Sequence, residues 1–394
     1  MTENPVMWTP GRERVQATRM HRFMQQAGYD DYDGLYAWSV AEAPAFWTAL
    51  CDFCDVDFDT APTAVLARPA NIMDAGWFEG SRLNYAKHLL RHTGDQAALV
   101  FFGEDAARRE LSRNQLRDQV AAVAAGLRAA GLREGDRVGG FLPNCPEAVV
   151  AALATASLGA IWSSCSPDFG VNGVVDRFGQ IEPKILFAVN GYYYNGKTCD
   201  TRSIVEGVVD AVSSIEHTIV IPFAAGLSAE MRLGNAVTWN DFCRPGEPLS
   251  FTPVAFEHPL YIMYSSGTTG VPKCIVHGHG GTLLQHIKEH VLHTDISAAD
   301  RLFYFTTCGW MMWNWLVSGL AAGATLVLFD GSPFFGDGRI LWQMAESEKV
   351  TVFGTSAKYI AALEKAGVRP ADEFSLAALR AVLSTGSPLA PESF

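Results

Sequence analysis

The strongest constraint on the fold is an alternation. From residue 97 onward, short runs rich in Val, Ile, Leu and Phe give way to stretches whose apolar residues recur every three or four positions. The first pattern suits a strand buried on both faces, the second a helix with one apolar side. Residues 97–102 form such a strand run. Ser112 and Gln115 then read as a capping box, each side chain meeting an N–H group of the opening turn. Behind them Leu116, Val120, Val123, Ala124 and Leu127 share one helical face, and Gly131 supplies a stop. The cycle repeats with a strand at 137–142, an alanine-rich helix opened by Asn144-Cys-Pro-Glu and running to Leu158, and strands at 184–189 and 217–221. Beyond a turn-rich seam at 245–259 come strands at 260–264, 301–305, 324–329, 350–353 and 379–383. Strands alternating with helices in this way predict an α/β fold with mostly parallel sheets covered by helices.

The opening 75 residues, rich in Trp, Tyr, Phe and Asp, read as a helical lead-in packed on a larger body. The expected organisation is a lead-in over 1–90, a first α/β subdomain over 91–255 and a second over 256–394. A composition of 48% hydrophobic and 18% charged residues is that of a globular chain. The net charge of −12 opposes broad binding of nucleic acid or anionic membrane, so anionic ligands must be held by local cations and N–H groups. The most apolar window, 311–329, contains Asn314, Ser318, Gly319 and Gly323 and reads as a buried helix, a turn and a strand rather than a membrane span. No basic-then-apolar leader opens the chain, and eight scattered cysteines with one Cys51-x-x-Cys54 pair suit reduced thiols in a cytoplasmic protein.

The segment richest in chemistry is Tyr264-Ser-Ser-Gly-Thr-Thr-Gly-Val-Pro-Lys273. An apolar strand run leads directly into hydroxyls and glycines. Glycine lets the backbone turn its N–H groups inward, the hydroxyls add donors, and Lys273 brings a movable positive charge to the rim. Together these make a cradle for a polyphosphate. It is not a Walker A loop, since Pro272 stands before the lysine and sets it on an extended step.

Residues 265–273 resemble the signature of the adenylate-forming superfamily of acyl-CoA synthetases, luciferases and peptide-synthetase adenylation domains. The resemblance implies that Ser265, Ser266, Gly267, Thr268, Thr269, Gly270 and Lys273 hold the β- and γ-phosphates of ATP, with Thr268 and Lys273 in catalytic roles. It implies that Gly386, Ser387 and Pro388 lie against adenine. By the same comparison Trp310, Met311 and Met312 line the pocket for the acid, with Thr307 and residues 354–356 nearby.

The runs 7–14, 76–85 and 163–168 are similar to the branch acting on acetoacetate, and the Trp-Phe-x-Gly-x-x-Leu-Asn-Tyr pattern within 76–85 is shared with acetyl- and propionyl-CoA synthetases, which marks the short-chain group. The Trp8-Thr-Pro10 and Gly309–Trp315 segments favour the branch acting on acetoacetate. The implied substrates are acetoacetate, Mg²⁺-ATP and CoA, reacting through an acyl-AMP. The resemblance also implies a large N-terminal domain that is incomplete here. A metal-binding Glu, a ribose-binding Asp, a hinge and a C-terminal lysine are expected in the family beyond residue 388, so the chain is expected to be a fragment inactive alone.

Several signals compete. His286-x-x-Glu289-His290 matches a zinc-hydrolase pattern of two ligands and a base. Thr93-Gly-Asp95 imitates the family's ribose motif but stands far upstream, where it reads as a turn. Glu147 and Asp168 read as a helix cap and a turn.

Overall fold

A computed structural model describes residues 6–68, 71, 74–265 and 270–394. Two sheets organise the molecule. Their strands, in chain order, are β1 (Ala97–Gly103), β2 (Arg108–Ser112), β3 (Arg137–Phe141), β4 (Ile161–Cys165), β5 (Ile185–Val189), β6 (His217–Ile221), β7 (Ala236–Thr238), β8 (Pro259–Ser265), β9 (Lys273–Gly278), β10 (Arg301–Tyr304), β11 (Thr325–Asp330), β12 (Val352–Ser356) and β13 (Ala381–Thr385). The first sheet has the order β7-β6-β5-β3-β4-β8-β9 and the second β13-β12-β10-β11-β1-β2. Every pairing is parallel except the last in each, β8 with β9 and β1 with β2. The expected helix-covered, mostly parallel architecture is therefore present.

The expected seam near 255 does not separate the sheets. β1 and β2 precede it yet complete the second sheet, while β8 and β9 follow it yet complete the first. Local periodicity identifies a strand but says nothing about its non-local neighbour, which explains the misplaced boundary. β9 itself, missing from the expected strands, is largely exposed and carries no apolar alternation strong enough to announce it.

Helices α1 (Arg113–Ala129) and α2 (Pro146–Ser157) lie between the sheets. α1 opens with the expected capping box: Ser112 Oγ accepts from Gln115 N at 3.2 Å, and Gln115 Oε1 accepts from Ser112 N at 2.8 Å. α2 is buried on all sides, from Ala148, Val149 and Val150 to Ala154 and Ala156. A helix with no solvent face has no use for a polar stripe, which accounts for its alanine-rich sequence. At Gly126 the approach is closer still, since a Cβ there would sit 2.5 Å from the Phe242 carbonyl oxygen.

The outer faces carry their own cores. Phe178, Val174 and Val205 cover the first sheet; Trp342, Tyr359 and Leu363 cover the second. Helices Arg12–Ala17, Arg19–Gln26, Tyr32–Ala41 and Ala43–Phe53 form the helical start, with Phe23 packed edge-on against Phe46 at 5.8 Å and Phe53 at 5.2 Å. Arg14 donates to Arg380 O at 3.1 Å and Arg19 N to Asp295 Oδ1 at 2.9 Å, which fastens this start to the body. Among the described residues, no helix is long and apolar enough to cross a membrane.

Candidate functional site

In parallel α/β sheets the loops beyond the carboxyl ends of the strands form the usual ligand crevice. Here those ends meet across the two sheets. Ser164, in the last turn of strand β4, donates through Oγ to Cys308 O at 2.6 Å, just beyond β10. Cys308 Sγ contacts Pro143 O at 3.1 Å, and Trp313 Nε1 donates to Asn144 Oδ1 at 3.0 Å, both partners lying just beyond β3. The two sheets thus face each other with β3 and β4 on one side and β10 on the other.

β8 runs beside β4 and ends at Ser265; β9 returns antiparallel, with Lys273 directly opposite Ser265. The proposed polyphosphate cradle is thus the connection of an edge hairpin. Ser265 is half-buried, Lys273 is exposed, and Gly270 has φ +126°, a value suited to glycine. Ser266, Gly267, Thr268 and Thr269 lie outside the described residues.

On the second sheet β10, β12 and β13 end side by side. Thr355 pairs with Ser384 and Ser356 with Thr385, so 354–356 and the Gly386 turn are neighbours. Gly386 takes φ +90° directly after β13, with Ser387 and Pro388 exposed beside it. The hydroxyls of Thr307 and Thr355 are buried and make no hydrogen bond among the described residues, leaving polar capacity at this edge. Trp310 caps helix α4 (Met311–Ser318) from outside and is 69% exposed. Met311 and Met312 are half-buried against the central core. The three residues therefore lie at the crevice rim and do not enclose a cavity among themselves.

Sequence reasoning passed over Asp330, which ends β11 beside these strands. Burial pushes its carboxyl up to about 7; an Asn144 N–H opposes that rise, while Glu104, Asp105 and Asp168 add to it. Glu104 accepts from Asn195 N at 2.8 Å, from Gly196 N and from Ser332 N at 2.6 Å, fastening the Gly191–Asp200 hairpin to the loop after β11.

The zinc-hydrolase pattern does not converge. Residues 279–287 form helix α3 (His279–Ile287), but Lys288–His293 widens into a π-helix. His286 Nδ1 meets Ser318 Oγ at 2.6 Å, and His290 Nε2 meets Trp315 O at 2.8 Å. Glu289 accepts from Gln285 and from Trp315 Nε1. All three side chains serve packing between α3, the π-helix and α4. Thr93-Gly-Asp95 is a bend before β1, and Glu147 pairs with Arg109 at 2.9 Å.

With the carboxyl ends of β3, β4 and β10 meeting across two mostly parallel sheets, the molecule has the form of an α/β enzyme that binds its ligand beyond the strand ends. The chain belongs to the family described as AMP-binding enzyme, which matches residues 86–394. Residues 32–89 match the acetyl-coenzyme A synthetase N-terminus. The chain is 50% identical to an acetoacetyl-coenzyme A synthetase of Rhizobium meliloti (strain 1021), over 98% of this chain and 61% of the relative. It is 43% identical to the acetoacetyl-CoA synthetase of Danio rerio, over 100% of this chain and 60% of the relative. The solved acetoacetyl-CoA synthetase from Streptomyces lividans superposes with a TM-score of 0.93 at 43% identity, over 98% of this chain and 60% of that one. The chain thus spans about 60% of the length of these relatives.

Proposed function

We propose that this chain supplies the ATP- and acid-holding part of a cytoplasmic, AMP-forming acid–thiol ligase that activates acetoacetate. A carboxylate oxygen of acetoacetate attacks the α-phosphorus of ATP, the bond to the β-phosphate oxygen breaks, and acetoacetyl-AMP and pyrophosphate result. The CoA thiolate then attacks the acyl carbon and AMP leaves. Catalysis of the first step rests on holding the reactants in line and on meeting charge at the phosphoryl groups. Residues 265–270, with Lys273, hold the β- and γ-phosphates; Mg²⁺ enters as part of Mg²⁺-ATP. Gly386, Ser387 and Pro388 lie against adenine, and Trp310, Met311 and Met312 meet the acid.

The observation that carries this reading is topological. The proposed phosphate hairpin, the 308–312 segment and the Gly386 turn all follow carboxyl ends of strands, in two sheets that are joined where Ser164 bonds Cys308. Likeness to acetoacetyl-CoA synthetases along the whole chain supports the choice of acid. The test is acid-dependent ATP–pyrophosphate exchange by the protein as its reading frame encodes it, with acetoacetate, acetate, propionate and 3-hydroxybutyrate compared. Acetoacetate is expected to give a kcat/KM at least about tenfold above the others, the discrimination available from contacts to one extra polar group. A higher value for acetate or propionate would replace the substrate; no exchange with any acid would overturn the reaction.

A further inference from the structure

A cavity of about 280 Å³ opens where the helical start meets the body. Phe53, Ile287, Val291, Ile296 and Ala322 give it an apolar wall, and Arg19, Arg22 and Arg91 stand around it. Ile296 lies just before β10 and Ala322 just before β11. The cavity is therefore at the amino ends of these two strands, whereas the crevice is at the carboxyl ends.

The wall divides by chemistry. Ile287, Ile296 and Ala321 are buried at its floor. Burial pushes the Cys54 thiol up to about 12, so it stays protonated and belongs with the apolar part. Arg91 donates to Cys54 O at 3.2 Å, Asp55 O at 2.9 Å and Ala321 O at 3.2 Å, which ties the end of helix Ala43–Phe53 to the turn before β11. Arg19 donates to Asp295 Oδ1 at 3.4 Å and to Asp295 O at 3.2 Å. Arg22, on the same face of helix Arg19–Gln26, is exposed. Three guanidinium groups thus meet two carboxylates, Asp55 in the wall and Asp295 on Arg19, and leave a positive excess in a chain of net charge −12. Val291 lies in the π-helix, a rare widening that recurs at functional sites.

We propose that this cavity is a ligand site separate from the crevice, for a monocarboxylate with a hydrocarbon body. The head meets Arg19 and Arg22, since a guanidinium presents the planar fork that a carboxylate fits. The body lies against Ile287, Val291 and Ile296. An apolar cavity of about 150 Å³ holds benzene, so this one takes roughly ten non-hydrogen atoms, the size of octanoate. Because its walls come from both the helical start and the body, an occupant fastens one to the other and raises the thermal midpoint by mass action.

Octanoate, octylammonium and inorganic phosphate are titrated calorimetrically into the protein as its reading frame encodes it, for wild type, Arg22→Gln, Asp55→Asn and Ala322→Leu. Thermal midpoints without ligand show that each variant folds. Octanoate is expected to bind wild type at least about tenfold more tightly than the other two, and to raise its midpoint. Arg22→Gln should weaken octanoate roughly threefold or more, with a smaller difference at high salt. Asp55→Asn should tighten it, a gain that a merely structural role would not produce; asparagine tolerates the φ of +50° at this position. Ala322→Leu narrows the cavity and should abolish binding. Octylammonium binding as tightly as octanoate would overturn the role of the arginines, and phosphate doing so would overturn the apolar body. Octanoate held equally by Ala322→Leu would lie elsewhere, the crevice included, and overturn the proposal, as would no binding by wild type. Val291→Phe narrows the same cavity from another wall should leucine prevent folding.

Discussion

Asp330 carries its charge problem openly: Oδ2 is buried and has no hydrogen-bond partner among the described residues. An aspartate in an unfolded chain ionises near pH 3.9, whereas burial raises Asp330 to about 7. Both states are protonated below pH 4. Between there and pH 7 only the unfolded chain gives up its proton, so stability present in acid is lost as pH rises, at up to about 1.4 kcal/mol per unit. Asp330→Asn should therefore leave the urea midpoint nearly unchanged at pH 4 and raise stability by roughly 1–3 kcal/mol at pH 7.5. An equal shift at both pH values would locate the effect in packing. Nothing in Thr325-Leu-Val-Leu-Phe-Asp330 distinguishes this aspartate from an ordinary strand-ending residue, because its surroundings come from Asn144, Glu104 and Asp168. Ser265, Lys273 and Gly386 could be read because their neighbours in space are also their neighbours in sequence.

At the scale of elements, the stretch from β9 through α3 and the π-helix concentrates buried histidines. Burial lowers His279 and His286 to about 3 and His290 to about 4; His88, packed nearby in the core, is lowered to about 3. These rings are neutral in the fold, whereas unfolded histidine takes up a proton near pH 6.5. Their contribution is complete above pH 6.5 and is lost as pH falls toward 3, by up to about 1.4 kcal/mol per unit for each ring. A steep fall of the thermal midpoint between pH 6.5 and 4.5 is expected. His290→Gln keeps a donor for Trp315 O and should make that acid limb shallower while costing about 1 kcal/mol at pH 7.5. An unchanged slope would show that His290 does not titrate in this window. Most strands in this fold were legible as apolar runs, and His217–Ile221 appears with the expected bounds. β2 and β9 were not, since Arg108–Ser112 is mostly polar and Lys273–Gly278 mostly exposed. Edge strands bury too little to leave a periodic mark. The π-helix was equally silent, because the extra residue it accommodates leaves the apolar spacing almost unchanged.

At the scale of the molecule, the crossing of strands between sheets makes each half of the chain depend on the other. Residues 1–255 alone would have a first sheet without β8 and β9 and, of the second, only the β1–β2 pair. Two strands with an exposed apolar face do not hold together in water. A 1–255 polypeptide is expected to lack a cooperative thermal transition, whereas the 394-residue chain should show one dominated by the shared central core. A sharp, reversible melt of 1–255 would mean that the first sheet is an independent unit.

The helix layer between the sheets has a further consequence, for divergence. α2 touches both sheets and buries Ala148, Ala151, Ala154 and Ala156, with no solvent face to yield to. Close-packed layers transmit volume changes rather than absorbing them. A methyl group here acts as a spacer, and the gap between the strand ends, some turns away, inherits its thickness. Homologues that accept bulkier residues along this helix are obliged to hold their sheets further apart, so the gauge of the ligand crevice is written in residues that never touch a ligand.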